Sequence, residues 1–236
     1  MQKDTKNNGP EAEYQTLLQI GELKPDADQA RAVAVLEQLY RELIDYPEIG
    51  SQRSSFSFKK WWPAGFLRWS NKAQHAPKGI YLYGGVGRGK SMLMDLFHDN
   101  LGVAAKRRAH FHEFMLDVHA RLREERKKES GDPILPVAAA IAAETRVLCF
   151  DEMVVNNSAD AMIMSRLFTA LMVEGGVTII TTSNRAPADL YKNGLNREHF
   201  LPFIGLVESR LDVMTLNGPT DYRLERMQGV GTWHVP

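Results

Sequence analysis

One octet constrains this chain more than any other stretch: Gly84-Gly85-Val86-Gly87-Arg88-Gly89-Lys90-Ser91, which reads G-x-x-x-x-G-K-S. Four glycines at this spacing let backbone N–H groups turn inward around a phosphate with no Cβ in the way. The Lys90 ammonium then reaches the β- and γ-phosphates, and the Ser91 hydroxyl can ligate Mg²⁺. Gly79-Ile80-Tyr81-Leu82-Tyr83 before the octet has the look of a buried strand, and Met92-Leu93-Met94-Asp95-Leu96-Phe97 after it that of a helix. A strand, a glycine loop and a helix N-terminus in that order put the helix dipole on the bound phosphate.

The rest of the chain supplies strands that can flank this loop. Arg108–Glu113, Arg146–Asp151, Val177–Thr182 and Leu211–Leu216 read as four further strands. Helices are expected over 25–45, with Asp26 and Gln29 at capping-box spacing, and over about 115–128, 158–173 and 197–208. Strands alternating with helices predict an α/β fold, a five-stranded parallel sheet flanked by helices. In such a sheet, ligand chemistry belongs at the carboxyl ends of the strands, where the loop, Asp151-Glu152 and Ser183-Asn184 all fall.

Val147-Leu148-Cys149-Phe150-Asp151-Glu152 has the form of a Walker B strand, an apolar run that delivers acid beside the loop. Asp151 would hold Mg²⁺ with Ser91, and Glu152 would polarise an attacking water, which points to hydrolysis rather than transfer to a small acceptor. Asn184, after the next strand, could bond the γ-phosphate or orient the water; as a bare pattern it is also an ordinary turn residue. Arg197 and Arg210 stand at element edges and each could act as an arginine finger, in its own subunit or a neighbour's. Either could equally be a surface ion pair.

Other features carry weaker signals. His110 and His112 share one side of a regular strand, and with Glu113 and His119 they suggest a metal site, yet the H-E-x-x-H spacing is absent and satisfied histidines are the plainer reading. A sharper reading has His112, ending the strand beside the Asp151 strand, touch Glu152 and gate it. Phe56, Phe58, Trp61, Trp62, Phe66 and Trp69 form an aromatic stretch suited to packing, to covering an adenine or to docking a partner. No N-K-x-D sequence follows the loop, which argues against guanine recognition.

The bulk numbers set limits. In 236 residues with 44% apolar and 25% charged content there is room for one sizeable core plus an appendage. Formal net charge is zero, so nothing global favours nucleic acid, although Lys106, Arg107 and Arg108 form a local basic run. A single cysteine, Cys149, excludes an internal disulfide and fits a reducing compartment. No run approaches the ~20 apolar residues of a membrane span, and the polar N-terminus does not read as a secretory or mitochondrial signal, so the expected location is bacterial-type cytoplasm.

Taken together, residues 77–91, His110-Phe111-His112-Glu113-Phe114-Met115, Leu148-Cys149-Phe150-Asp151-Glu152, Ala159-Asp160-Ala161-Met162, Thr182-Ser183-Asn184, the Leu190–Arg197 segment and Phe200-Leu201-Pro202-Phe203 resemble the ZapE cell-division ATPase family and its mitochondrial AFG-one-like relatives. The resemblance runs from about Tyr14 to the last residues. It implies an AAA+ P-loop core, ATP and Mg²⁺ as ligands, a homo-oligomer, and a protein partner in division, the FtsZ ring, near the membrane. Two departures stand out. Asn157-Ser158 occupies the place of a usual Asp-Ile pair, and the family continues past Pro236 into a helical lid. The expected organisation is a disordered tail at 1–10, a helical and aromatic-rich extension at 11–76, the ATPase core at 77–216, and at 217–236 the start of a C-terminal region without its lid. Two alternatives remain open from sequence: a nucleotide-switched adaptor that does not hydrolyse, and a nucleic-acid-associated loader ATPase.

Overall fold

In the computed structural model, residues 9–46, 76–128 and 131–218 are described. The aromatic stretch at 56–69 and the end of the chain from 219 lie outside them.

Five strands form one parallel sheet. They are β1 (Gly79–Tyr83), β2 (Lys106–His110), β3 (Val147–Asp151), β4 (Thr178–Ser183) and β5 (Leu211–Thr215), in the order β2-β3-β4-β1-β5. The strand between the phosphate loop and the acidic strand is therefore β4. Its end reaches the rim between the other two.

Strand alternation sorts the core into two layers. Ile80, Leu82, Val147, Cys149 and Ile180 face one side, where α1 (Gly9–Gln19), α2 (Ala27–Asp45) and α3 (Lys90–Asn100) bury Tyr14, Leu36, Leu43, Leu93 and Phe97. Tyr81, Leu148, Phe150 and Ile179 face the other, against α4 (Phe111–Arg126), α5 (Ile134–Glu144), α6 (Ser158–Thr169) and α7 (Leu201–Arg210). On that second side Phe114 and Phe150 meet at a tilt with 4.7 Å between ring centroids, and Phe168 meets Phe203 at 5.2 Å, so α4, α6 and α7 are keyed to β3 and to each other through aromatic contacts.

Several local expectations shift. The strand predicted at 108–113 runs from Lys106 to His110, and Phe111 begins α4, so His112 lies on a helix rather than at a strand end. The helix expected over 158–173 is α-helical only to Thr169 and closes in a π turn, Ala170–Glu174, before Gly175. The segment expected as one helix from Arg197 begins as a short 3₁₀ turn, Arg197–His199, and becomes helical at Leu201. α1 begins at Gly9, inside the stretch expected to be disordered.

The cap of α2 is half of the expected box. The Asp26 carboxylate accepts from the backbone N–H groups of Asp28 (2.8 Å) and Gln29 (3.1 Å), as a helix N-cap should. The Gln29 side chain does not reach back to complete the box. It reaches the phosphate loop instead.

At the far end of α2, the buried Arg146 guanidinium donates to the carbonyl of Leu43 at 2.6 Å, bonds the carbonyl of Tyr46 and lies over the Tyr46 ring at 4.8 Å. A cation at a helix C-terminus satisfies the unpaired carbonyls and opposes the negative end of the dipole. No helix among the described residues is long and apolar enough to cross a membrane.

Candidate functional site

The site is a stretch of rim at the carboxyl ends of β3, β4 and β1. Gly84 leaves β1 with φ 153°, and a Cβ there would lie 2.1 Å from the Leu216 carbonyl oxygen. Leu216 in turn donates its N–H to Tyr83 at 2.7 Å, which holds the chain after β5 against the loop's first residue. Gly87 and Gly89 also have positive φ, and Gly89 in the left-handed region is the residue from which α3 springs. Lys90, the first residue of α3, is buried and its ammonium donates to the carbonyls of Gly84 (2.8 Å) and Gly85 (2.7 Å). The ammonium thus sits within the ring that the loop backbone draws.

The loop is braced from outside by a residue the motif does not contain. Gln29, 1% exposed, donates its side-chain amide to the carbonyl of Arg88 at 3.2 Å, and its Nε2 occupies the space beside Gly89. Asn217 donates its backbone N–H to Asp28 at 2.9 Å. The N-terminal turn of α2 therefore touches both the phosphate loop and the segment leaving β5.

Asp151 ends β3 and is buried. Its Oδ2 accepts from Arg108 Nε at 2.8 Å, while its Oδ1 is buried with no hydrogen-bond partner. Arg108 also bonds Asp95 on α3. Burial opposes the guanidinium's charge, but the hydrogen bonds and charges of Asp151 and Asp95 outweigh it and raise its pKa above the ordinary arginine value.

Glu152 follows with φ 54°, a left-handed backbone that a non-glycine residue adopts at a cost of roughly 1–3 kcal/mol. Two contacts with β4 hold it there. Glu152 N–H donates to Thr182 Oγ1 at 3.0 Å, and Met153 N–H donates to the Thr182 carbonyl at 2.8 Å. The Ser183 hydroxyl closes the same turn by donating to the Met153 carbonyl at 2.9 Å. The Glu152 side chain is left exposed at the rim. Asn184, also exposed, comes directly after β4, and the carbonyl of its neighbour Ser183 accepts from Gly84 N–H at 3.3 Å. So Asn184 stands beside the entry to the phosphate loop.

The other candidates do not join this cluster. Leu211 pairs with Gly79, the first residue of β1, so Arg210 lies at the amino edge of the sheet, about 20 Å along the strands from the loop. Arg197 donates to the Ala188 carbonyl at 2.6 Å, within the segment that follows β4. His119 is satisfied by Asp160 at 2.6 Å, and Asn157 caps α6 by accepting from Asp160 N–H at 2.7 Å. Among the described residues no group of three or more histidine, cysteine or acidic side chains is gathered for a metal ion. It is His110, not His112, that ends β2 beside Asp151 in the ladder. The basic run is internally engaged: Lys106 donates to the Leu101 carbonyl at 2.7 Å, Arg107 to Asp117 at 3.1 Å, and Arg108 to Asp151.

Four residues that matter to this geometry are not read as site residues from the sequence: Gln29 enters only as a capping residue, Arg108 only within a basic run, and Asp95 and Thr182 only within longer segments. The one usable signal was Thr181-Thr182-Ser183, a polar run inside a fully buried strand. Buried hydroxyls need partners, and here the partners form the turn that carries Glu152.

This sheet order, with a phosphate loop after β1, acid at the end of β3 and a strand between them, defines an AAA+ P-loop nucleotide-binding core. The model of the AFG1-like ATPase family matches residues 8–236, and the chain belongs to that family. It is 40% identical over 230 residues to the cell division protein ZapE of Escherichia coli K12, covering 96% of this chain and 59% of that protein. An uncharacterized protein of Schizosaccharomyces pombe is 42% identical over 255 residues, covering 98% of this chain and 55% of its own length. The chain thus spans a little over half the length of these curated relatives. Among solved structures, AMPPCP-bound DnaA from Aquifex aeolicus shares the fold with a TM-score of 0.51 at 14% identity, over 90% of this chain and 55% of that one.

Proposed function

We propose that this chain is an ATP-hydrolysing AAA+ core that works in a homo-oligomer on a protein partner. The observation that carries the reading is the convergence on one rim of the Gly84–Ser91 loop, Asp151, Glu152 and Asn184, from the ends of β1, β3 and β4, which are neighbours in the sheet.

The residues fit the ligands this chemistry needs. The glycine ring and Lys90 form a cradle for phosphate oxygens, and the buried, unpartnered Asp151 Oδ1 is an acceptor suited to a magnesium ion's water shell. Ser91 and Asp151 would hold that ion, and its contribution is to neutralise charge on the transferring phosphoryl group. Glu152 is the base that polarises water, held at the rim by Thr182 rather than in the strand. Asn184 orients the water or the terminal phosphate.

An arginine at the amino edge of the sheet cannot serve its own loop, so Arg210 acts on a neighbouring subunit, and Arg197 is the alternative. The division relative's name supports a partner in cell division, with FtsZ the candidate implied by the family resemblance.

The test is nucleotide binding alongside phosphate release. Lys90→Ala should weaken ATP binding by about 10-fold or more and abolish turnover. Turnover that survives Lys90→Ala contradicts the assignment.

A further inference from the structure

Arg108 occupies an unusual position for a cation. It projects from β2, its Nε is 2.8 Å from Asp151 Oδ2, and its other arm bonds Asp95. Asp95 is one helical turn beyond Ser91 on the same face of α3. One guanidinium therefore bridges the acid of β3 and the helix of the phosphate loop, the two elements that supply the metal-holding groups. It is only a quarter exposed, so its charge is weakly screened by solvent.

We propose that Arg108 is a resident counter-cation that keeps free divalent metal off Asp151, so that metal enters only together with nucleotide. This rests on the reading of Asp151 as a magnesium-holding residue. The argument is Coulombic. A divalent ion near Asp151 would stand within a few ångströms of the guanidinium, and at that range in a half-buried site like charges repel strongly. Without nucleotide, Asp151 and Asp95 offer two negative charges, and Arg108 already neutralises one of them. A triphosphate in the glycine cradle adds several more negative charges, and the balance then favours the metal. Arg108 also fixes the carboxylate: with Oδ2 engaged, Oδ1 is the oxygen left over. It is a positioning residue, acting through Asp151 rather than on substrate.

The experiment is Mn²⁺ binding to the full chain, followed by electron paramagnetic resonance, first without nucleotide and then with a non-hydrolysable ATP analogue. Without nucleotide, the wild-type chain should take up Mn²⁺ only weakly, in the millimolar range. Arg108→Gln should bind it about 10-fold more tightly or better. Adding Asp151→Asn to that variant should remove the gain, and Arg108→Lys, which keeps the charge, should stay near wild type. Arg108→Gln binding no tighter than wild type overturns the inference. So does tight Mn²⁺ binding by the wild-type chain alone that Asp151→Asn removes, a result that needs no Arg108 variant to fold. With the analogue present, Asp151→Asn should weaken Mn²⁺ binding; no change there overturns the metal reading of Asp151 itself.

Discussion

Gln29 donates its side-chain amide to the backbone carbonyl of Arg88 at 3.2 Å, so a residue on α2, outside the glycine motif, holds the turn from which α3 begins. The residue is wholly buried and separated from its partner by 59 positions. Its carboxamide oxygen is buried with no hydrogen-bond partner, so the amide reaches the loop through its nitrogen alone.

Gln29→Leu keeps the volume and removes the contact. It should lower folding stability by about 1 kcal/mol and weaken ATP binding several-fold, because the Arg88 carbonyl is left unpaired and the loop is freer. Chemical denaturation and calorimetric titration measure the two effects. Unchanged ATP affinity would show that the loop keeps its shape without α2.

Glycine substitutions separate close backbone approach from mere flexibility. Gly84→Ala should destabilise the fold by about 2 kcal/mol or more, since its Cβ would meet the Leu216 carbonyl and its φ is unfavourable. Gly205→Ala on α7 has open space around the new methyl group and should be neutral or stabilising by up to about 1 kcal/mol. Thermal melts of the pair provide the comparison.

Cys149 is fully buried beneath α3, and burial pushes its thiol pKa from the ordinary 9.0 up to about 12. A folded-state value above the unfolded one means that the neutral thiol adds stability fully below pH 9, and that this contribution is lost as pH rises towards 12. At pH 8, alkylation by iodoacetamide should therefore be about 1000-fold slower or more in the native chain than in urea. Comparable rates would show that the β3 face opens readily.

Arg210 and Lys90 sit at opposite edges of one subunit's sheet. If Arg210 serves a neighbour, Arg210→Ala should reduce turnover by about 10²-fold or more while leaving ATP binding intact. Mixing Arg210→Ala with Lys90→Ala subunits should restore part of the activity, because mixed interfaces pair an intact loop with an intact arginine. Turnover that stays absent on mixing would redirect the search to Arg197.

Much of this geometry is legible in the sequence. Lys90, Asp151 and Asn184 follow from a contiguous spacing and from apolar runs that end in polar residues, and both are local properties. The parallel sheet followed from alternation of strand and helix. What stayed hidden depends on which distant elements touch. Gln29 satisfied a capping pattern as well as a buried contact, and only the packing of α2 on the loop decides between them. Arg108 read as one of three adjacent cations until β2 was set beside β3. His112 read as a strand residue because His110 and His112 alternate with the apolar Phe111 at period two, but Phe111 and Phe114 are at the i, i+3 spacing of a helix, and the helix wins by burying both against Phe150. The left-handed turn at Glu152 had no sequence mark, since it is held by Thr182 from the neighbouring strand.

The central claim, that this rim hydrolyses ATP with Glu152 as base, is tested most directly by steady-state phosphate release from Glu152→Gln with ATP affinity measured on the same sample. The account predicts turnover reduced by about 10²-fold or more with ATP affinity within a few-fold of wild type. Turnover equal to wild type, with the nucleotide still bound, would contradict it.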